Sequence, residues 1–277
     1  SGTATDNGMC VAKYNSSGSL QWQKRLQLMY GATGGAPLVV DATNNYVYIS
    51  GMLLNSGLSQ LGGFMGKYDT SLSASWQSLL SSSLRSYYCC AVNPATQNVY
   101  GMLDERTVVA FNSSGAVQWQ QTPSSGGSVF YSLAVDASGN TYSGFRRSAS
   151  INQNVYVKLN SSGALSAQIA VAANNISIEN FSQPSISGSY FYVAGNTTTS
   201  TPNVPNGVTM FKIPTSLNPS GTYGNVTFSS SSFPYSAASN SFTTTSVPVV
   251  STSFTEVLNP ITGSDVTSSF TKAITYI

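Results

Sequence analysis

One strand–turn–strand phrase is restated along this chain: Val-Ala-Lys-Tyr-Asn-Ser-Ser-Gly-Ser-Leu-Gln-Trp at 11–22, Val-Ala-Phe-Asn-Ser-Ser-Gly-Ala-Val-Gln-Trp at 109–119, and Val-Lys-Leu-Asn-Ser-Ser-Gly-Ala-Leu at 157–165. Weaker copies stand at Met65-Gly66-Lys67-Tyr68-Asp69-Thr70, running to Trp76, and at Met210-Phe211-Lys212-Ile213-Pro214. With Asn15, Asp69, Asn112, Asn160 and Pro214 as phase markers, the spacings are 54, 43, 48 and 54 residues. That is the length of one four-stranded propeller blade, and each copy needs its neighbours to bury its apolar face.

A second phrase lies between the markers. It reads Leu38-Val39-Val40-Asp41-Ala42-Thr43-Asn44-Asn45-Tyr46-Val47-Tyr48, then Ala91-Val92-Asn93-Pro94-Ala95-Thr96-Gln97-Asn98-Val99-Tyr100, then Ala134-Val135-Asp136-Ala137-Ser138-Gly139-Asn140-Thr141-Tyr142, with a shorter turn in 184–195. An apolar run, a polar turn and an alternating aromatic and β-branched run make a hairpin signal. Asp and Asn bond their own backbone in such turns and tolerate left-handed geometry, so their recurrence has a folding reason. Each unit then holds an inner strand pair and an outer pair, the latter joined by the Asn-Ser-Ser-Gly turn and ending at the tryptophan. Asn15, Asn112 and Asn160 are expected at equivalent places in successive blades. Trp22, Trp76 and Trp119 share one phase, which favours wedging between blades over ligand stacking.

The fold expected is all-β: a single β-propeller of four-stranded blades, five to six in number, with the termini meeting in one blade. Residues 1–232 carry the repeats. The Ser/Thr-rich segment 233–277 either closes the propeller or forms a last blade. Closure is preferred, because Val257-Leu258-Asn259-Pro260-Ile261-Thr262 echoes Ala91-Val92-Asn93-Pro94-Ala95-Thr96 and an open edge invites aggregation. The competing alignment sets Asn259 against Asn160 and Asn15, which makes a sixth blade and leaves the first open to a neighbouring subunit's strand.

Only 7% of residues are charged and the formal net charge is +2, with Lys24-Arg25 and Arg146-Arg147 the tight basic pairs. That is far from a nucleic-acid footprint. No run approaches the ~18 apolar residues of a membrane helix, so membrane insertion is not expected. No secretory signal peptide opens the sequence, which begins with Ser1. Cys10, Cys89 and Cys90 are an odd set in which buried free thiols are favoured over a Cys10–Cys89 or Cys10–Cys90 bridge. Adjacent Cys89 and Cys90 should point to opposite faces of a strand. There is no histidine, which removes every triad and His-metal mechanism, and no metal site is expected. The nine acids leave a carboxylate pair formally open, but Asp41, Asp69 and Asp136 already have turn roles. The expectation is a non-enzyme.

Any site should lie where the loops after second and fourth strands converge. Those loops carry Tyr30, Arg85, Arg106, Arg146 and Arg147. Arg146-Arg147 is the strongest pair for an anionic sugar, because planar guanidinium groups bind carboxylate or sulfate bidentately.

The phrase at 11–22 followed by Val39-Val40-Asp41-Ala42-Thr43-Asn44-Asn45-Tyr46-Val47-Tyr48-Ile49-Ser50-Gly51 resembles the SBBP-type bacterial β-propeller repeat and is similar to quinoprotein-like repeats over about residues 9–213. The likeness concerns scaffold, and no cofactor ligands can be placed, so no cofactor is expected. Phe211-Lys212-Ile213-Pro214, Ser220-Gly221-Thr222-Tyr223-Gly224-Asn225-Val226-Thr227-Phe228 and the alternating tail resemble propeller-bearing structural proteins of marine tailed phages, especially those of cyanobacteria. That resemblance implies a virion component, such as a tail fibre, spike or capsid-surface decoration, located at the virion surface. Its partners would be other virion proteins, copies of itself and host-surface glycan. The alternatives are a secreted microbial surface propeller binding glycan or protein and, as a minor option, a propeller-fold polysaccharide lyase or hydrolase.

Overall fold

The structure is a computed structural model describing residues 8–27, 29–30, 38–57, 59–81, 87–103, 107–123, 128–147, 153–173, 176–181, 184–199, 207–223, 226–231, 235–237, 242–245 and 249–251. All its regular elements are strands. The first sheet is a hairpin of β1 (Gly8–Tyr14) and β2 (Leu20–Gln27) joined by the turn at Asn15. Blade I follows, with a divided first strand, β3 (Met29–Tyr30) and β4 (Leu38–Asp41), then β5 (Tyr46–Leu54), β6 (Gln60–Asp69) and β7 (Ala74–Ser81). Blade II is β8 (Tyr87–Asn93), β9 (Asn98–Leu103), β10 (Thr107–Phe111) and β11 (Val117–Pro123). Blade III is β12 (Ser128–Val135), β13 (Thr141–Arg147), β14 (Gln153–Leu159) and β15 (Leu165–Ala173). Blade IV again divides its first strand, into β16 (Ile176–Phe181) and β17 (Ser185–Ser187), and adds β18 (Tyr190–Thr199) and β19 (Gly207–Pro214).

Every pairing is antiparallel and sequential within a blade. The first strands approach one another from blade to blade, β4 and β5 against β8, β8 against β12, and β12 against β16 and β17. The arrangement is that of a propeller with four blades among the described residues, preceded by the two-stranded sheet, against the five or six blades expected. The fourth strands also run on past their tryptophans, to Gln27, Ser81 and Pro123.

One apolar core fills each seam. Leu26, Met29, Phe64, Tyr68 and Leu72 pack between the first sheet and blade I, and Tyr48, Met65, Cys90, Val109 and Phe111 between blades I and II. Cys89, Tyr100, Val108, Leu133 and Val157 pack between II and III, and Tyr142, Tyr156, Phe191, Phe211 and Phe228 between III and IV. Interior strands therefore bury both faces, as in β10, where all five residues are buried. Cys89 and Cys90 enter different seams, as period-2 alternation requires. None of the three cysteines is in a disulfide and Cys10 is exposed; burial pushes the thiols of Cys89 and Cys90 up, that of Cys90 to about 12.

After Pro214 the chain builds no further blade within the described residues. It forms β20 (Gly221–Tyr223) and β21 (Val226–Ser230), a hairpin that adds β21 to the outer edge of β15. It then runs back over the blades in reverse order. β22 (Tyr235–Ala237) adds to β11, β23 (Phe242–Thr244) to β7, and β24 (Val249–Ser251) to β2. The rungs Val171–Phe228, Thr122–Ser236, Leu79–Thr243 and Arg25–Val250 advance the tail seven or eight residues per blade. This belt covers outer edges that would otherwise present unpaired backbone groups. The expected partner of β1 within 233–277 is not among the described residues, where β1 pairs with β2. Whatever bears on closure falls on 252–277, outside them.

Candidate functional site

The sheets have two chemically different ends. At one end stand the turns that join first to second and third to fourth strands. Asn15 Oδ1 accepts from Ser17 N, Ser17 Oγ and Ser19 N at 3.1, 2.7 and 2.8 Å. The same bonds recur at Asp69, Asn112 and Asn160, each between the third and fourth strands of its sheet. Asp136 uses this turn one hairpin earlier, accepting from Ser138 N and Asn140 N through Oδ1 and from Asn140 Nδ2 and Tyr142 Oη through Oδ2. Asp41 accepts from Asn44 N and Nδ2. The serine hydroxyl and amides around Asp69, foremost Ser71, hold its carboxyl below the ordinary value.

The tryptophans tie these turns across seams. Trp76 Nε1 donates to Ser113 O at 3.1 Å, and Trp119 Nε1 to Ser161 O at 2.9 Å. Gly115 (φ 85°) and Gly163 (φ 84°) lie under the indoles, where a Cβ would stand 2.7 Å from Trp76 Cδ2 and Trp119 Cδ2 respectively. Left-handed backbone and the close ring both require glycine there. In the turn of blade I this place is held by Leu72 (φ 65°), buried in the same core against which Trp22 packs.

A second recurring cation was not singled out from the sequence. Lys67, Lys158 and Lys212 stand two residues before the turn marker, and each lies over a tyrosine. Lys67 Nζ is 3.8 Å from the Tyr46 ring centroid, Lys158 Nζ 5.3 Å from that of Tyr142, and Lys212 Nζ 4.0 Å from that of Tyr190. Lys67 is only 5% exposed and donates to Gln97 Oε1 of blade II at 2.7 Å. Burial lowers its pKa from the ordinary lysine value, against the opposing pull of Asp41. The signal was present as Lys at the same phase in four repeat phrases, but a lone Lys in an alternating strand reads as a solvated residue.

The opposite end carries the expected binding residues. Arg146 and Arg147 close β13, with Arg146 opposite Val129 and Asn154 and Arg147 opposite Ser128. Tyr30 closes β3 opposite Met52. Arg85 and Arg106 lie outside the described residues, in the connections that follow β7 and β9. Strand order thus brings Arg146, Arg147 and Tyr30 to one end of the sheets, opposite the turns at Asn15, Asp41, Asp69, Asn112, Asp136 and Asn160. Asn154, on the rung of Arg146, is 1% exposed, and neither its Oδ1 nor its Nδ2 has a hydrogen-bond partner. Among the described residues no group of three or more His, Cys, Asp or Glu could hold a metal ion, and no helix is long and apolar enough to cross a membrane.

No protein-family model matches the sequence, and no curated protein matches it. Among solved structures the chain is similar to BamB from Moraxella catarrhalis, at 18% identity and a TM-score of 0.41, covering 70% of this chain and 55% of that one. It is also similar to the Cps50 (Swd1) β-propeller domain of Myceliophteria thermophila, at 7% identity and a TM-score of 0.37, covering 69% and 76%. The chain thus spans about half the length of the Moraxella protein. The propeller arrangement follows from this chain's own sheet order and recurring turns.

Proposed function

We propose that this protein is a non-enzymatic display module, a structural component of a phage virion that presents a rigid propeller for assembly or host attachment. The observation that carries this reading is the use the fold makes of its charges. Asp41, Asp69 and Asp136 are engaged by their own turns. Lys24, Lys67 and Lys158 donate to Ser71 O, Gln97 Oε1 and Thr215 O. A general acid or base needs its pKa tuned toward the working pH, whereas these carboxylates are turn acceptors and that of Asp69 is held low. The belt supports the same reading, since it clothes the rim in Ser and Thr and leaves recognition to the ends of the sheets.

Within this reading the loop end of blade III, with Arg146 and Arg147, contacts an anionic surface glycan. Two experiments test it. Mass spectrometry of purified virions should find the chain in fixed proportion to the other structural proteins, and absence from virions overturns the assignment. Replacing Arg146 and Arg147 by Ala should weaken binding to host polysaccharide at least tenfold, and unchanged binding removes the proposed contact.

A further inference from the structure

Each seam joins unlike faces: one blade presents a forward face, and the next covers it with a backward face. Counted from the turn markers, the third-strand residue four places earlier lies on the forward face. It is buried in blades I to III, as Met65, Val108 and Tyr156. The residue one place earlier lies on the backward face. It is buried in blades I to IV, as Tyr68, Phe111, Leu159 and Ile213.

The faces at the two ends of this series carry the same positions without cover. On the forward face of blade IV, Met210 is 72% exposed and Tyr190 39%, beside Tyr192 and Lys212, which oppose each other across β18 and β19. On the backward face of the first sheet, Tyr14 is 41% exposed. Cys10 is exposed there too, whereas its counterparts Phe64 and Val155 are buried. A repeat array that ends in solvent closes on a polar face. A methionine beside two tyrosines is an interaction surface instead.

The hydrogen bonds carry the same direction. In each seam the preceding sheet donates to the outer turn of the next: Lys24 to Ser71 O, Trp76 to Ser113 O, Trp119 to Ser161 O, and Tyr142 and Lys158 to Thr215 O. Blade IV holds Tyr192 and Lys212 at the places of Tyr142 and Lys158. Lys212 lies over Tyr190, and among the described residues neither donor reaches a further turn. The first sheet holds Ser16 at the place of Ser113, Ser161 and Thr215. Both end faces are exposed in the same copy, so neither covers the other.

We propose that the forward face of blade IV binds the backward face of the first sheet of a second copy of this chain, so that copies join head to tail through a seam of the same kind. Met210 and Tyr190 then pack against Tyr14 of the second copy, and Tyr192 and Lys212 donate to its Ser16 O. Because the two faces differ, the interface is heterologous, and each copy keeps one face for a further neighbour. The proposal goes beyond the display function and stands without it.

Sedimentation velocity of the full chain tests it with one variant per face. The native chain should form dimers and larger species as its concentration rises. Met210→Glu and Tyr14→Glu each spoil one face at an exposed side chain, and each alone should sediment as a monomer. Mixed in equal amounts they should form a one-to-one dimer and nothing larger, since the intact blade IV face of Tyr14→Glu meets the intact first sheet of Met210→Glu. A native chain that stays monomeric up to its solubility limit, variants that assemble as the native chain does, or a mixture that stays monomeric overturns the proposal. Cys10 gives a second reading that needs no substitution in its own sheet. Where the native chain assembles, alkylation of Cys10 should be severalfold slower than in Met210→Glu at the same concentration, and equal rates likewise overturn it.

Discussion

The seams between blades I and II and between II and III differ from the seam before blade I in one respect. In the first two, a tryptophan lies flat on a turn glycine and donates to the turn, as Trp76 does over Gly115 and Trp119 over Gly163. In the third, the glycine position holds Leu72, 1% exposed and in left-handed backbone. Left-handed geometry costs a non-glycine residue roughly 1–2 kcal/mol, whereas burying a leucine contributes about 1.5–3 kcal/mol. The burial offsets the strain, so both seams are workable. The difference teaches that turn residue and tryptophan are chosen as a pair, and that a left-handed position does not by itself demand glycine.

Exchanging one solution for the other should break the equivalence unequally. Gly163→Leu should have the largest effect, a loss of about 3–5 kcal/mol, because left-handed strain adds to overpacking against Trp119. Urea unfolding measures it, and a loss under about 1 kcal/mol would mean that Trp119 moves aside freely. Asn160→Ala comes next. It removes the acceptor of three hydrogen bonds in an exposed turn and should cost about 1–2 kcal/mol, with Asn160→Asp restoring most of it. Leu72→Gly should cost only about 1 kcal/mol, since relief of strain returns part of the lost burial. A loss as large as that of Gly163→Leu would contradict the offset.

The smallest effect concerns pH. Asp69 stands where the turns of the first sheet and of blades II and III have Asn15, Asn112 and Asn160, and its folded pKa lies below the ordinary 3.8. Its contribution is therefore fully present above the unfolded value and is lost as pH falls through the folded one. Stability between about pH 5 and 2 should fall less steeply in Asp69→Asn than in the parent chain. Identical slopes would show that the carboxylate bonds add nothing beyond those of an amide.

The repeat determined the strands, the turns and their phase without help from tertiary structure. Asn15, Asn112 and Asn160 occupy one place in their sheets because an Asx turn is a local event, closed within five residues by the side chain's own backbone bonds. The opposite faces of Cys89 and Cys90 were legible for the same reason, since alternation is a property of the strand alone. The loop end was legible only as an end, because strand order places Arg146 and Tyr30 there while side-chain positions depend on packing. Lys67 escaped notice because its burial is made by Gln97 of the next blade. The belt escaped altogether. Its strands of three to five residues carry Ser, Thr and single aromatics, a pattern that specifies no partner. Only the tertiary structure, by leaving the outer edges of β15, β11, β7 and β2 open in a row, decided where the tail would find its hydrogen bonds.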